Sequence, residues 1–287
     1  MKSPEIVATI AQLRAHIADW RGSGARIGLV PTMGALHAGH LSLVEAMRSR
    51  ANRTVASIFV NPAQFAPHED YDRYPRALQA DAAMLGDGVD LIFAPSVAEM
   101  YPEGFSTRVQ VRGPSEGLES DTRPHFFSGV ATVVAKLLIA ATPDFAIFGE
   151  KDYQQLLVIR KFTADLGLPV EILGAPIVRE ADGLALSSRN AYLDPRQREV
   201  AGRLNVVLKG AITDLLAGTP IASVEAQGKR ALRDAGFDRV DYVAARDAQT
   251  LQPIADLSRP VRILAAAKVG ATRLIDNMAV RPSRKGS

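Results

Sequence analysis

Two periods of apolar residues alternate along the chain. Near the start, Ile6, Ile10, Leu13 and Ile17 share one face of a helix. Ser3-Pro4-Glu5 reads as its N-cap, N1 proline and acidic first turn, and Gly22 closes it. Short apolar runs predict strands at 26–30, 54–60, 91–93, 145–148 and 170–173. Helical spacing falls between them, from about His40 to Arg50 and over 75–85, 131–141 and 153–165. Strands alternating with helices predict an α/β fold with a Rossmann-like, doubly wound, mostly parallel sheet.

The pattern changes after about residue 177. Asp194-Pro195 opens a long helix towards Leu216, and a second spans 221–235. Strand candidates follow at 239–245, 261–267 and 272–276. The expected division is therefore a parallel-sheet domain over 1–177 and a smaller C-terminal α+β domain over 178–287.

Composition narrows the function classes. The 287 residues are 47% apolar and 23% charged, ordinary for a globular protein with a real core. Lys and Arg total 34 against 31 acidic residues, a net charge of +3. No run of five or six like charges occurs, and Arg281, Arg284 and Lys285 read as a solvated tail, so no nucleic-acid partner is expected. Cysteine is absent, which excludes disulfides, thiolate catalysis and Cys-ligated metals. No apolar signal core stands at the N-terminus, and the greasiest stretch, 129–149, is broken by Lys136, Pro143 and Asp144. No membrane partner is expected, and the chain reads as a soluble cytoplasmic protein.

Doubly wound sheets bind ligands beyond the carboxyl ends of their strands, where strand order reverses. That places the chemistry in the loops after Val30, Val60, Phe148 and Val178. The common nucleotide fingerprints are missing, but the first loop reads Pro31-Thr32-Met33-Gly34-Ala35-Leu36-His37-Ala38-Gly39-His40. Either imidazole alone reads as a solvent-facing side chain. The pair, with two glycines at a helix entry, suits phosphate oxygens. Lys151, after the fourth predicted strand, reaches the same rim, and Ser187, Ser188 and Arg189 form an anion clamp. Gln64 and Gln155 are neutral partners for a carboxylate and hydroxyls. Asp81, and the group Glu69, Asp70 and Asp72, are the carboxylates available to Mg²⁺, which leans on one or two such groups plus substrate phosphates.

Five segments, PTMGALHAGH (31–40), FVNPAQF (59–65), YPR (74–76), FGEKDYQQ (148–155) and ALSSRN (185–190), together resemble the pantothenate synthetase (pantoate–β-alanine ligase) family over essentially the whole chain. HxGH alone marks the wider nucleotidylyltransferase superfamily, and transfer of a nucleotidyl group to another small acceptor is the alternative. The resemblance implies condensation of (R)-pantoate with β-alanine, driven by ATP and Mg²⁺ through a pantoyl-adenylate, with AMP and pyrophosphate released. It also implies a cytoplasmic homodimer whose C-terminal domain is a lid. By the same resemblance, Met33, Gly34, Ala35, Leu36, His37, Ala38, Gly39, His40, Gly149, Glu150, Lys151, Asp152, Val178, Leu186, Ser187, Ser188 and Arg189 contact ATP. Gln64 and Gln155 contact pantoate, and His37 matches the histidine described as a proton donor. His37, His40, Lys151, Ser187, Ser188 and Arg189 are the expected catalytic set, and Asp81 the expected metal ligand. One stretch departs from the family's RPGHFxGV: residues 123–130 read RPHFFSGV, with Phe126 in the histidine position and His125 in place of a glycine.

Overall fold

The computed structural model describes residues 4–66 and 69–281. It opens with a strand, β1 (Glu5–Val7), and only then a helix, α1 (Ile10–Gly22), where the sequence predicted one helix from Pro4. Thr9 explains the later start. Its hydroxyl accepts the Gln12 N–H, and the Gln12 side chain accepts the Thr9 N–H, a closed capping box. Ile6 and Val7, freed from the helix, join the sheet beside Ile92 and Phe93. Ser3, Arg284 and Lys285 lie outside the described residues.

The chain continues through β2 (Ile27–Thr32), α2 (Ala38–Arg48), β3 (Arg53–Ile58), α3 (Leu78–Leu85) and β4 (Leu91–Phe93). Two short turns of helix follow, α4 (Val97–Met100) and α5 (Glu119–Thr122), then α6 (Phe126–Ala141), β5 (Phe145–Gly149), α7 (Tyr153–Asp165) and β6 (Glu171–Ala175). These six strands are all parallel, in the order β1-β4-β3-β2-β5-β6. Neighbouring strand residues face opposite ways. Leu29, Val55, Leu91 and Ala146 join one core with α1, α6 and α7, whereas Val30, Ala56, Ile92 and Ile147 join another with α2. Both faces are covered, which is why the strands read as continuous apolar runs. Strand order reverses between β2 and β5, so the loops after these two strands open onto one crevice.

The C-terminal part holds α8 (Pro195–Leu216), α9 (Ile221–Asp234), β7 (Arg239–Asp247), β8 (Val261–Val269) and β9 (Thr272–Val280). Its sheet is antiparallel, ordered β7-β8-β9. Ile263, Ala265 and Ala267 of β8 pack with Leu204, Leu208 and Leu232 from the two helices, while Leu264 joins the core beside Phe148. The central strand is thus buried on both sides, and the small sheet is pressed against the large one. Strand β9 continues past its predicted end at Asp276 to Val280, which carries Asn277 into the contact. Among the described residues no helix is long and apolar enough to cross a membrane.

Candidate active site

A cavity of about 980 Å³ lies beyond the carboxyl ends of β2 and β5, roofed by the 184–190 segment and the C-terminal sheet. Its first wall is the turn between β2 and α2. Gly34 and Ala35 both take positive φ, at 84° and 52°. A side chain on Gly34 would also meet the Asp81 carboxylate at 2.9 Å. Asp81, on α3, is the reason the turn holds this shape: its two oxygens accept the N–H groups of Ala35 and Leu36 at 3.0 and 2.9 Å. It is 3% exposed and stands behind the cavity wall. Expected as a Mg²⁺ ligand, it instead spends both oxygens on the loop.

His37 is the N-cap of α2. Its Nδ1 accepts the Gly39 N–H at 3.1 Å, and His40 Nδ1 accepts the His37 N–H at 3.2 Å. Gly39 is needed there, because a Cβ would sit 2.9 Å from the His37 ring. An Nδ1 that accepts a backbone N–H carries no proton, so in each neutral ring the proton is on Nε2. Burial, then the Lys151 ammonium, lower the His37 pKa, with Asp152 opposing weakly. His40 is pushed down to about 3 by burial, then by His37 and Lys151. Both imidazoles are therefore neutral near pH 7, and each offers one N–H as a hydrogen-bond donor.

The opposite wall is the turn after β5. Lys151 and Asp152 line the cavity, 3.8 Å apart. Glu150 was expected at ATP, but its carboxylate turns away to Arg262 on β8 at 2.8 Å. Of the two adjacent glutamines, Gln154 is buried and fully occupied: it donates to the carbonyls of Pro114 and Gly117 and accepts the Glu119 N–H. Gln155 lines the cavity with its amide uncommitted among the described residues. Gln64 faces it on the 59–65 loop. Buried Asn61 orients Gln64, donating to its Oε1 at 3.0 Å and to the Gly129 carbonyl at 3.2 Å, while accepting the Tyr101 hydroxyl at 2.7 Å. Gly129 lets α6 come this close, since a Cβ would strike the Ala63 carbonyl oxygen at 2.2 Å.

The remaining wall joins two loops. Arg189 forms a two-pronged ion pair with Asp70 at 3.0 and 3.1 Å, and Ser188 meets the Tyr74 hydroxyl at 3.3 Å. The guanidinium beside Asp70 overcomes the effect of burial and holds that carboxyl below its usual value. Ser187 caps its own turn by accepting the Arg189 N–H.

Of the residues expected at the site, Met33, His37, Gly39, His40, Gln64, Gly149, Lys151, Asp152, Gln155, Val178, Leu186, Ser187, Ser188 and Arg189 line this one cavity. Gly34, Ala35, Leu36, Ala38 and Glu150 shape it from behind. Sequence reasoning missed Asn61, whose signal was the Asn-Pro turn, and Asn277, which carried none. Phe126, where the family has histidine, lines the cavity with the Arg123 guanidinium 3.8 Å over its ring. His125 is exposed and does not take its place.

Comparison with known proteins agrees with this geometry. The family model described as pantoate-beta-alanine ligase matches residues 5–279. A pantothenate synthetase of Mesorhizobium japonicum is 58% identical over 281 residues, 98% of this chain and 99% of that protein. The crystal structure of pantothenate synthetase from Thermus thermophilus superposes with a TM-score of 0.91 at 50% identity, covering 97% of this chain and 100% of that one. A Francisella tularensis pantoate-beta-alanine ligase, solved in complex with beta-gamma ATP and beta-alanine, is 34% identical with a TM-score of 0.81, covering 98% of this chain and 100% of that one.

Proposed function

The chain belongs to the pantoate-beta-alanine ligase family, and from that premise we propose how its cavity carries out the ligation. The overall reaction joins pantoate to β-alanine in an amide bond, with ATP as co-substrate. A free carboxylate is a poor acyl donor because it would have to expel oxide. In the first step a pantoate carboxylate oxygen bonds to the α-phosphorus of ATP. The bond from that phosphorus to the β-phosphate oxygen breaks, and pyrophosphate leaves with the electron pair. In the second step the β-alanine nitrogen bonds to the acyl carbon, AMP departs with the C–O electron pair, and the nitrogen sheds its proton. No protein nucleophile is needed, so the protein's part is positioning and charge stabilisation.

Gln64 and Gln155 hold pantoate without adding charge, while Lys151, Ser187, Ser188 and Arg189 meet the phosphates. One observation carries this assignment: two neutral imidazoles, each with Nδ1 capped by a backbone N–H, face Lys151 across one cavity at the reversal of strand order. A neutral Nε2–H is too weak an acid to give up its proton. His37 and His40 therefore act as fixed hydrogen-bond donors to phosphate oxygens, and the proton-donor role implied for His37 is replaced by hydrogen bonding.

Mg²⁺ fits as an ion that arrives on the nucleotide. Among the described residues no three His, Asp or Glu side chains are grouped to hold a metal alone. Five of the six cavity carboxylates are paired with arginines, and only Asp152 has none. Asp152 is the residue that would meet the ion, which when bound draws off charge from the phosphates. Residues 1–177 then form the ATP- and pantoate-binding domain, and 178–287 a lid that keeps water from the adenylate. A homodimer in the cytoplasm is the state we assign to it, tested by sedimentation and by fractionation.

The experiment is incubation with ATP, Mg²⁺ and pantoate, with and without β-alanine, followed by mass analysis. Pantoate alone should support exchange of pyrophosphate into ATP, and β-alanine should convert the adenylate to pantothenate and AMP. Exchange that ignores pantoate, or that responds to a phosphorylated acceptor instead, would overturn the proposal.

A further inference from the structure

The phosphate-facing lysine stands in the turn after β5 of the large sheet, but the groups that fix that turn come from the small one. Asn277, on β9 and 2% exposed, donates its amide N–H groups to the carbonyls of both Glu150 and Lys151 at 2.9 Å. Its own Oδ1 accepts from Arg262 Nε at 2.5 Å, which fixes the amide's orientation. Arg262, on β8, reaches the Glu150 carboxylate at 2.8 Å and lies 3.7 Å over the Tyr153 ring. Residues 150, 151 and 153 are thus gripped by one buried Asn–Arg pair, and Tyr153 adds a hydrogen bond to the Ala248 carbonyl at 2.8 Å. Two carbonyls in succession on one amide leave the Lys151 Cα almost no freedom to tilt.

We propose that Asn277, oriented by Arg262, is a positioning residue for Lys151, so that the C-terminal sheet completes the phosphate-binding site as well as covering it. The proposal rests on the assignment of Lys151 to the ATP phosphates. A Lys151 turn released from the C-terminal sheet places its ammonium wrongly for the departing pyrophosphate, and an error of about 1 Å in such a group costs about 100-fold in rate. The aminolysis step, with pyrophosphate gone, does not feel it. Among the described residues the Asn277 side chain hydrogen-bonds only Glu150, Lys151 and Arg262, which makes the effect specific to one step.

The test compares wild type, Asn277→Ala, Lys151→Ala and the double variant in two assays. One is pantoate-dependent ATP–pyrophosphate exchange, and the other is β-alanine attack on pre-formed pantoyl-adenylate. Asn277→Ala should lose between about 10-fold and about 100-fold in exchange, leave aminolysis within about twofold of wild type, and add nothing in the Lys151→Ala background. Arg262→Lys keeps a cation near Glu150 but loses the fork to Asn277, and should move exchange the same way by less. It serves as the readout if Asn277→Ala does not fold. Wild-type exchange in both Asn277→Ala and Arg262→Lys, equal losses in the two assays, or a full extra loss on top of Lys151→Ala would overturn the proposal. Wild-type exchange in Lys151→Ala itself would instead remove the lysine from the phosphates, and this inference with it.

Discussion

The cavity has two kinds of wall. At the turns after β2 and β5 the backbone and both imidazoles are set by buried and part-buried hydrogen bonds: Nδ1 of His37 and His40 on backbone N–H groups, the 35–36 turn on Asp81, the Lys151 carbonyl on Asn277. Where the 69–74 loop meets 187–190, the contacts are an ion pair with partly exposed members and one hydroxyl pair. The first wall holds its donors in place before any ligand arrives. In the second, the Asp70 carboxylate occupies the fork that a phosphate would occupy. Preorganised donors cost no reorganisation during the reaction, whereas a clamp that must release one anion to take another has to be able to move.

The largest effect that separates the walls is expected in the rigid one. Lys151→Ala and His37→Ala should each lose at least about 100-fold in adenylate formation while remaining folded. Near-wild-type pyrophosphate release in either variant would take that residue out of the site.

A pH measurement sharpens the same contrast. His40 has a folded-state pKa of about 3, below its unfolded value. Its contribution to stability is therefore full above pH 6.5 and lost as pH falls towards 3, at up to about 1.4 kcal/mol per pH unit. His40→Gln retains the capping-box acceptor at N3 but cannot titrate. Its stability should fall less steeply than the wild type's through that window, as measured by chemical denaturation at successive pH values. Parallel curves would mean that His40 is not held neutral by its surroundings.

The smallest effect belongs to the adaptable wall. Asp70→Asn removes the anion that competes for Arg189 and should lower the KM for ATP by no more than about fivefold, since partly exposed ion pairs are worth up to about 1 kcal/mol. A loss of about 100-fold in kcat would show that Asp70 belongs with the rigid groups after all.

Much of this site was legible in the chain. His37, Gly39 and His40 are close in sequence, and their capping geometry is local, so the segment announces itself. Lys151 and Arg189 stand directly after strands or turns that periodicity places at the same rim. What escaped was whatever depended on distant residues. Asp81 looked like any loop carboxylate, and only the approach of α3 to residues 35–36 turned it into a backbone acceptor. The start at Thr9 was missed because a proline cap signal at Pro4 competed with a capping box whose strength lies in three-dimensional closure. Glu150 was grouped with its neighbours, although the C-terminal sheet draws its side chain away.

By itself the sequence determined the alternation of strands and helices and the chemical types that line the crevice, because these follow from short-range periodicity and local capping. Tertiary structure alone decided which carboxylates are free, which glutamine of an adjacent pair faces the ligand, and which side chain steadies the lysine. Those outcomes depend on which donors and acceptors are buried against one another, and burial is settled only when elements far apart in the chain are packed together.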